Sequence, residues 1–221
     1  FTGVINNINN LAVPNPASQA NGVVPTGQAL MGLLTGAQTI NLPPSGSTLL
    51  PGSFADHLTS WAATFDNNNQ TKVSYWLRQG AAGSAGTVEE PCNFTGKFPH
   101  ARVHQFIYAG LSHGEAYLRS MQFVPFQSIF VGDPLCRPYA YIPTVSVTGV
   151  PTTPATVPFI ITPQATTNAP GATIDTLNIL IDGVRVGTIT PGQSYVVNTY
   201  GLDDGHHELR VMALENTLIR S

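Results

Sequence analysis

Charge is the scarcest property of this sequence. Only 10% of its 221 residues are Asp, Glu, Lys or Arg, against about 25% in an ordinary soluble domain. Nine Lys and Arg against twelve Asp and Glu leave a formal charge of −3. Gripping a nucleic-acid backbone takes clustered positive charge, so that class of function is excluded. No apolar run reaches the roughly 18 residues that a membrane-crossing helix needs. Cysteine is nearly absent as well, with only Cys92 and Cys136. No CxxC pair occurs, which excludes a zinc ribbon. The two thiols read as buried and inert, as a structural disulfide in an oxidising compartment, or as a lone nucleophile at one of them.

What is present is a moderate apolar content, 42%, enough for a core and too much for wholesale disorder. Glycine (21) and proline (18) make up about 18% of the chain, where roughly 12% is usual. Asn, Thr, Ser, Gln and Gly must therefore cover the surface. Such a surface fits a secreted, cell-surface or periplasmic protein. The sequence starts at Phe1 without a signal-like segment, which we read as a piece of a larger protein.

The composition shifts twice along the chain. Residues 1–52 are rich in Asn, Pro and Gly (INNINN, NLPPSGSTLLPG) and read as a polar arm. Within them Ala29, Leu30, Leu33 and Leu34 have helical spacing, so one short helix is expected there. Residues 53–145 read as an α/β unit. SFADHLTS suggests a helix start with Ser53 as N-cap and Asp56 three residues on. VSYWLRQGAAGSAGTVEEP suggests a helix end, a buried strand and a Gly/Ala-rich turn. HARVHQFIYAGLSHGEAYLRSMQ suggests two helices broken at Gly110, with Leu111, Tyr117 and Leu118 facing one way. SIFV is a buried strand ending in the turn Gly132-Asp133-Pro134. Residues 146–221 carry β signals only. In LNILIDGVRVGTI, Leu177, Ile179 and Ile181 alternate, Asp182-Gly183 turns, and Val184 and Val186 return. A second hairpin is expected in YVVNTYGLDDGHHELRVMAL, with Leu209 and Val211 on one face. Together these suggest an immunoglobulin-like β-sandwich, short of a full one and open to a strand from another chain.

WLRQGAAGSAGTVEEPCNFTGKFPHARVHQFIYAGLSHGEAYLRSM, followed by FVGDPLCRPYAYIP, resembles an uncharacterised secreted bacterial family. GSAGTVEEP, KFP and VGDPLCRP occur in it together and in order. That family is similar in turn to the gingipain-type, caspase-like cysteine peptidases, in which an immunoglobulin-like domain also follows the catalytic one. The resemblance covers about residues 50–221. It implies a histidine followed by a cysteine, each at the end of a sheet strand. The segment matching the nucleophile turn, near SFADH, offers Ser53, Asp56 and His57 but no cysteine, and no histidine precedes His57. The resemblance thus implies the C-terminal half of a peptidase-like domain without its His/Cys pair.

Several constellations carry side chains suited to chemistry. Asp56-His57 reads as an acid–base pair or as a helix cap beside a half-buried imidazole. His100 and His104 lie at i, i+4 and, with His113 or Glu115, offer zinc ligands; helix packing is the plainer role. Glu89-Glu90 offers paired carboxylates, or a loop that pairs with Lys97 or Arg102. Gly132-Asp133-Pro134 reads as a mechanical turn. Asp203-Asp204-Gly205-His206-His207 offers a metal cluster or a plain turn. Asn69 (NQT) and Asn93 (NFT) fit the glycosylation pattern.

These readings converge on a structural or adhesive component of an extracellular assembly, with no cofactor. Its partners would be other chains or the rest of its own precursor. One alternative is a cysteine peptidase completed by a second chain, using Cys92 with His57 or His104. A carbohydrate-binding module is a further alternative.

Overall fold

A computed structural model of the chain describes residues 24–89, 95–122 and 127–217. The chain divides into two compact units, Phe1–Ala140 and Tyr141–Ser221.

The first unit is built on a mixed four-stranded sheet in the order β1-β2-β3-β4. Its strands are β1 (Ala29–Thr35), β2 (Thr48–His57), β3 (Gly83–Thr87) and β4 (Ser128–Gly132). β1, β2 and β3 run parallel, and β4 is antiparallel to β3. The helices are α1 (Ser74–Arg78), α2 (Arg102–Tyr108) and α3 (His113–Ser120).

Two sequence expectations are overturned here. ALMGLLT is strand β1, not a helix, and it pairs with β2, so residues 29–52 belong to the sheet of the first unit and not to an arm. A short apolar run fits either state, and pairing with a neighbouring strand decides it. SFADH is the second half of β2, so Ser53 caps nothing and Asp56 and His57 point to opposite faces. Residues 1–23 of the expected arm lie outside the described residues. Pro51 has no N–H for a ladder, and the β1–β2 register shifts there, between the pairs Leu30–Leu49 and Gly32–Phe54. Gly52 bends at φ 84 inside this irregularity.

The two helices broken at Gly110 are as expected; Gly110 turns at φ 98. Ser112 closes a capping box with Glu115 at the start of α3. Leu111 and Tyr117 are buried, but Leu118 is exposed, contrary to the expected shared face. SIFV forms β4, though not as the buried strand expected, since at this sheet edge only Ser128 is buried and Ile129 is exposed; Asp133 accepts the Leu135 N–H at 2.9 Å and holds the turn.

One face of the sheet holds Leu33, Leu49 and Ala55 against Trp76 of α1. The other carries α2 and α3. β3 is buried along its whole length, and its small residues make that possible. A Cβ on Gly83 would lie 2.7 Å from His113 Nδ1, and one on Gly86 would run into Val73.

The second unit has two three-stranded antiparallel sheets. One is ordered β10-β7-β8 and the other β5-β6-β9. The strands are β5 (Thr144–Thr148), β6 (Phe159–Thr166), β7 (Ile174–Ile181), β8 (Val184–Ile189), β9 (Tyr195–Val197) and β10 (Leu209–Glu215). Ile161, Leu177, Ile179, Ile181, Ile189 and Val197, drawn from both sheets, share one core. β7 and β8 form the expected hairpin, with Asp182 at φ 50 and Gly183 at φ 79 in a two-residue turn. The second expected hairpin does not form: β9 pairs with β6 and β10 with β7, so residues 198–208 cross between sheets. Two β-runs joined by a turn signal do not reveal whether they stay in one sheet.

Candidate functional site

His57 ends β2 at the carboxyl edge of the parallel strands, where open α/β sheets bind ligands. Its ring is 1% exposed. Nε2 donates to the Thr71 carbonyl at 2.6 Å, and Nδ1 accepts the indole N–H of Trp76 at 2.9 Å. One nitrogen donates and the other accepts, which is the full capacity of a neutral imidazole. Burial pushes its pKa below the ordinary value, against the Thr71 hydrogen bond. No lone pair remains for a substrate proton. The edge itself is covered by residues 58–73. Leu58 N–H donates to Thr35 O (2.7 Å), Ala63 N–H to Thr87 O (3.0 Å), and Thr71 N–H to Gln38 O (3.0 Å). A cleft of about 240 Å³ opens beyond the end of β1. Thr35, Thr39, Asn41 and Ser45 are its polar lining, and among the described residues no titratable side chain faces it.

Asp56 faces the other way, beneath the helices. Neither carboxyl oxygen has a hydrogen-bond partner of good geometry, and burial raises its pKa to about 8 against a smaller opposing pull from the His57 N–H. It is a neutral carboxylic acid in a packed interior. Tyr117 lies near enough to feel it and donates its hydroxyl to Ser128 at 3.0 Å. Two imidazoles flank Phe54, each edge-on with ring centroids 5.8 Å away. His104 sits over Gly32, where a Cβ would strike its ring, and His113 sits over Gly83. His113 Nε2 donates to the Gly52 carbonyl at 3.1 Å, a group turned outward by the irregularity in β2. His113 Nδ1 and His104 Nε2 are buried without partners. Burial, with a smaller push from His113, lowers the pKa of His104 to about 4. Asp56, His104, His113 and Tyr117 therefore form an uncharged polar layer between sheet and helices, shielded from water.

The expected pairings do not assemble. Asp56 and His57 share no site. His100 is exposed and accepts the Arg102 N–H at 3.2 Å, while Glu115 is held in its helix cap. Neither joins His104, and among the described residues no three His, Cys, Asp or Glu are placed to hold a metal ion. Cys92, Glu90 and Asn93 lie outside the described residues. Glu89 is exposed, and its carbonyl receives Lys97 Nζ at 3.5 Å. Cys136 is a free thiol whose pKa burial, then Asp133, pushes up, the reverse of an activated nucleophile. Asn69 sits in an exposed bend. His206 is exposed, whereas His207 turns onto Asp182, a pairing across 25 positions.

The residues missed from the sequence are Trp76, Tyr117 and Ser128, which complete these contacts. A usable signal existed for part of it, since a glycine inside a strand pattern, Gly83, marks close approach. No helix among the described residues is long and apolar enough to cross a membrane. No protein-family model, curated protein or solved structure matches the chain.

Proposed function

We propose that this protein is a structural or adhesive component of an extracellular or cell-surface assembly. Its first unit would be a peptidase-like fold of gingipain type that has lost catalysis, and its second an immunoglobulin-like sandwich. The observation that carries the reading is the state of His57. The imidazole best placed for chemistry spends both nitrogens on Thr71 and Trp76. A mixed sheet with helices on both faces and two antiparallel sheets on one core accord with the two fold assignments.

The surface supports association. Ile160 and Val196 are cross-strand partners on the outward side of β6 and β9, 59% and 55% exposed. Few charges stand in the way of a neighbour, and edge strands such as β8 and β5 offer unpaired backbone groups.

Sedimentation of the full chain across a concentration series tests the proposal. Association is expected, and Ile160→Lys with Val196→Lys should weaken it. A strict monomer at high concentration refutes it. Release of peptide from an unfolded protein substrate, abolished by alkylating Cys92 near pH 6, would establish the peptidase alternative instead.

A further inference from the structure

In the second unit Asp182 is a hub. Its N–H donates to the Glu208 carbonyl at 3.0 Å, and its Oδ1 accepts the Glu208 N–H at 2.9 Å. Its Oδ2 faces His207 Nδ1 at 2.6 Å, while His207 Nε2 faces the Asp203 carbonyl at 2.8 Å. Both partners of the ring are acceptors. A neutral imidazole has one N–H and can serve only one of them; the imidazolium serves both. The turn selects the same residue, because Asp tolerates the positive φ required at this position of a tight hairpin.

We propose that His207 is a pH-sensitive latch, which in its doubly protonated form fastens the 198–208 crossover to the β7–β8 turn. When the second proton leaves, the remaining one stays on Nδ1, because a lone pair cannot face the Asp182 carboxylate. The new lone pair then faces the Asp203 carbonyl, and that end of the latch opens. The crossover carries Leu202, which packs on the core, and Tyr200, 71% exposed, so its seating changes with the latch.

The charged groups around the ring agree in sign. Hydrogen bonds to Asp182 and then Asp203 raise the pKa of His207, with both charges adding. His207, then the Glu208 N–H and last the charge of His206, hold Asp182 below the usual carboxylate range. Glu208 is engaged with Arg210 at 2.6 Å. A raised imidazole pKa stabilises fully below about 6.5, and the effect fades as pH climbs through the raised value. The Asp182 contribution fades only in acid, below the ordinary 3.8.

Nitrogen-15 NMR of the histidine rings in the full chain, from pH 5 to 9, tests this. His207 should keep both N–H groups above the ordinary imidazole value of 6.5, and should end as the Nδ1–H tautomer. Amide shifts of residues 199–205 should follow the same midpoint. Asp182→Asn, which preserves the turn and an acceptor for Glu208, should move that midpoint down towards the ordinary 6.5. His207→Gln should abolish the pH dependence of the crossover amides. A neutral His207 at pH 6, an Nε2–H tautomer, an unmoved midpoint in Asp182→Asn, or crossover amides indifferent to the titration would each overturn the proposal.

Discussion

The indole N–H of Trp76 donates to Nδ1 of His57 at 2.9 Å, and this one bond converts the best-placed imidazole of the molecule into a core residue. Trp76 is fully buried, so the bond is made away from water. Trp76→Phe should leave Nδ1 without a donor and open a small cavity. The expected cost is about 2–4 kcal/mol, read by chemical denaturation with circular dichroism. A variant as stable as the parent would show that the bond contributes nothing.

The neutral layer under the helices sets the pH dependence of the first unit. Both tryptophans, Trp61 and Trp76, belong to this unit, so their fluorescence reports its unfolding. His57, His104 and His113 are held below the imidazole value of 6.5, His104 at about 4. Between those values the unfolded chain binds more protons at these sites, so each imidazole makes stability rise with pH. Asp56 acts in the opposite sense from 3.8 up to about 8, because the unfolded chain ionises it first. Each group changes stability by at most about 1.4 kcal/mol per pH unit. Below about 6.5 the imidazoles oppose the carboxyl, and above it the carboxyl acts without them. The urea midpoint should peak near pH 6–7, and Asp56→Asn should flatten the alkaline limb. A midpoint still climbing at pH 8 contradicts the assignment.

Gly32 and His104 occupy one volume, since a Cβ on Gly32 meets the ring. Gly32→Ala should cost about 1–3 kcal/mol through overpacking. Adding His104→Ala should return part of that loss, giving a coupling energy of at least about 0.5 kcal/mol in a double-mutant cycle. Simple additivity would mean that the sheet and α2 do not meet there.

Cys136 should react slowly with iodoacetamide at pH 7, several-fold slower than the same thiol in the unfolded chain, because burial and Asp133 disfavour the thiolate. Peptide mass mapping separates its labelling from that of Cys92. Labelling of the folded chain at the unfolded rate would contradict the burial.

Local signals carried the parts of this fold that are locally determined. Asp182-Gly183 made its turn because few other pairs accept two positive φ values in succession. Gly110 broke the helices, and Asp133 held its turn through its own side chain. The failures were of another kind. ALMGLLT has helical spacing and SFADH carries a helix-start signature, and only pairing with strands elsewhere makes them β. His57 could not be read, because its partners stand 14 and 19 positions away and only the fold brings them to the ring. The 203–207 cluster offered a metal site or a plain turn, and neither reading foresaw that its second histidine meets a carboxylate 25 positions earlier.

The second unit returns its chain to the side where it began. Thr144 at the start of β5 pairs with Thr166, and the next residue, Thr167, donates its hydroxyl to Glu215 at the end of β10. Both strand ends therefore lie at one pole. A tension applied between them would peel the outer strands away one hydrogen bond at a time instead of shearing a whole ladder at once. Under load, such a unit would yield at lower force than one whose terminal strands must be sheared.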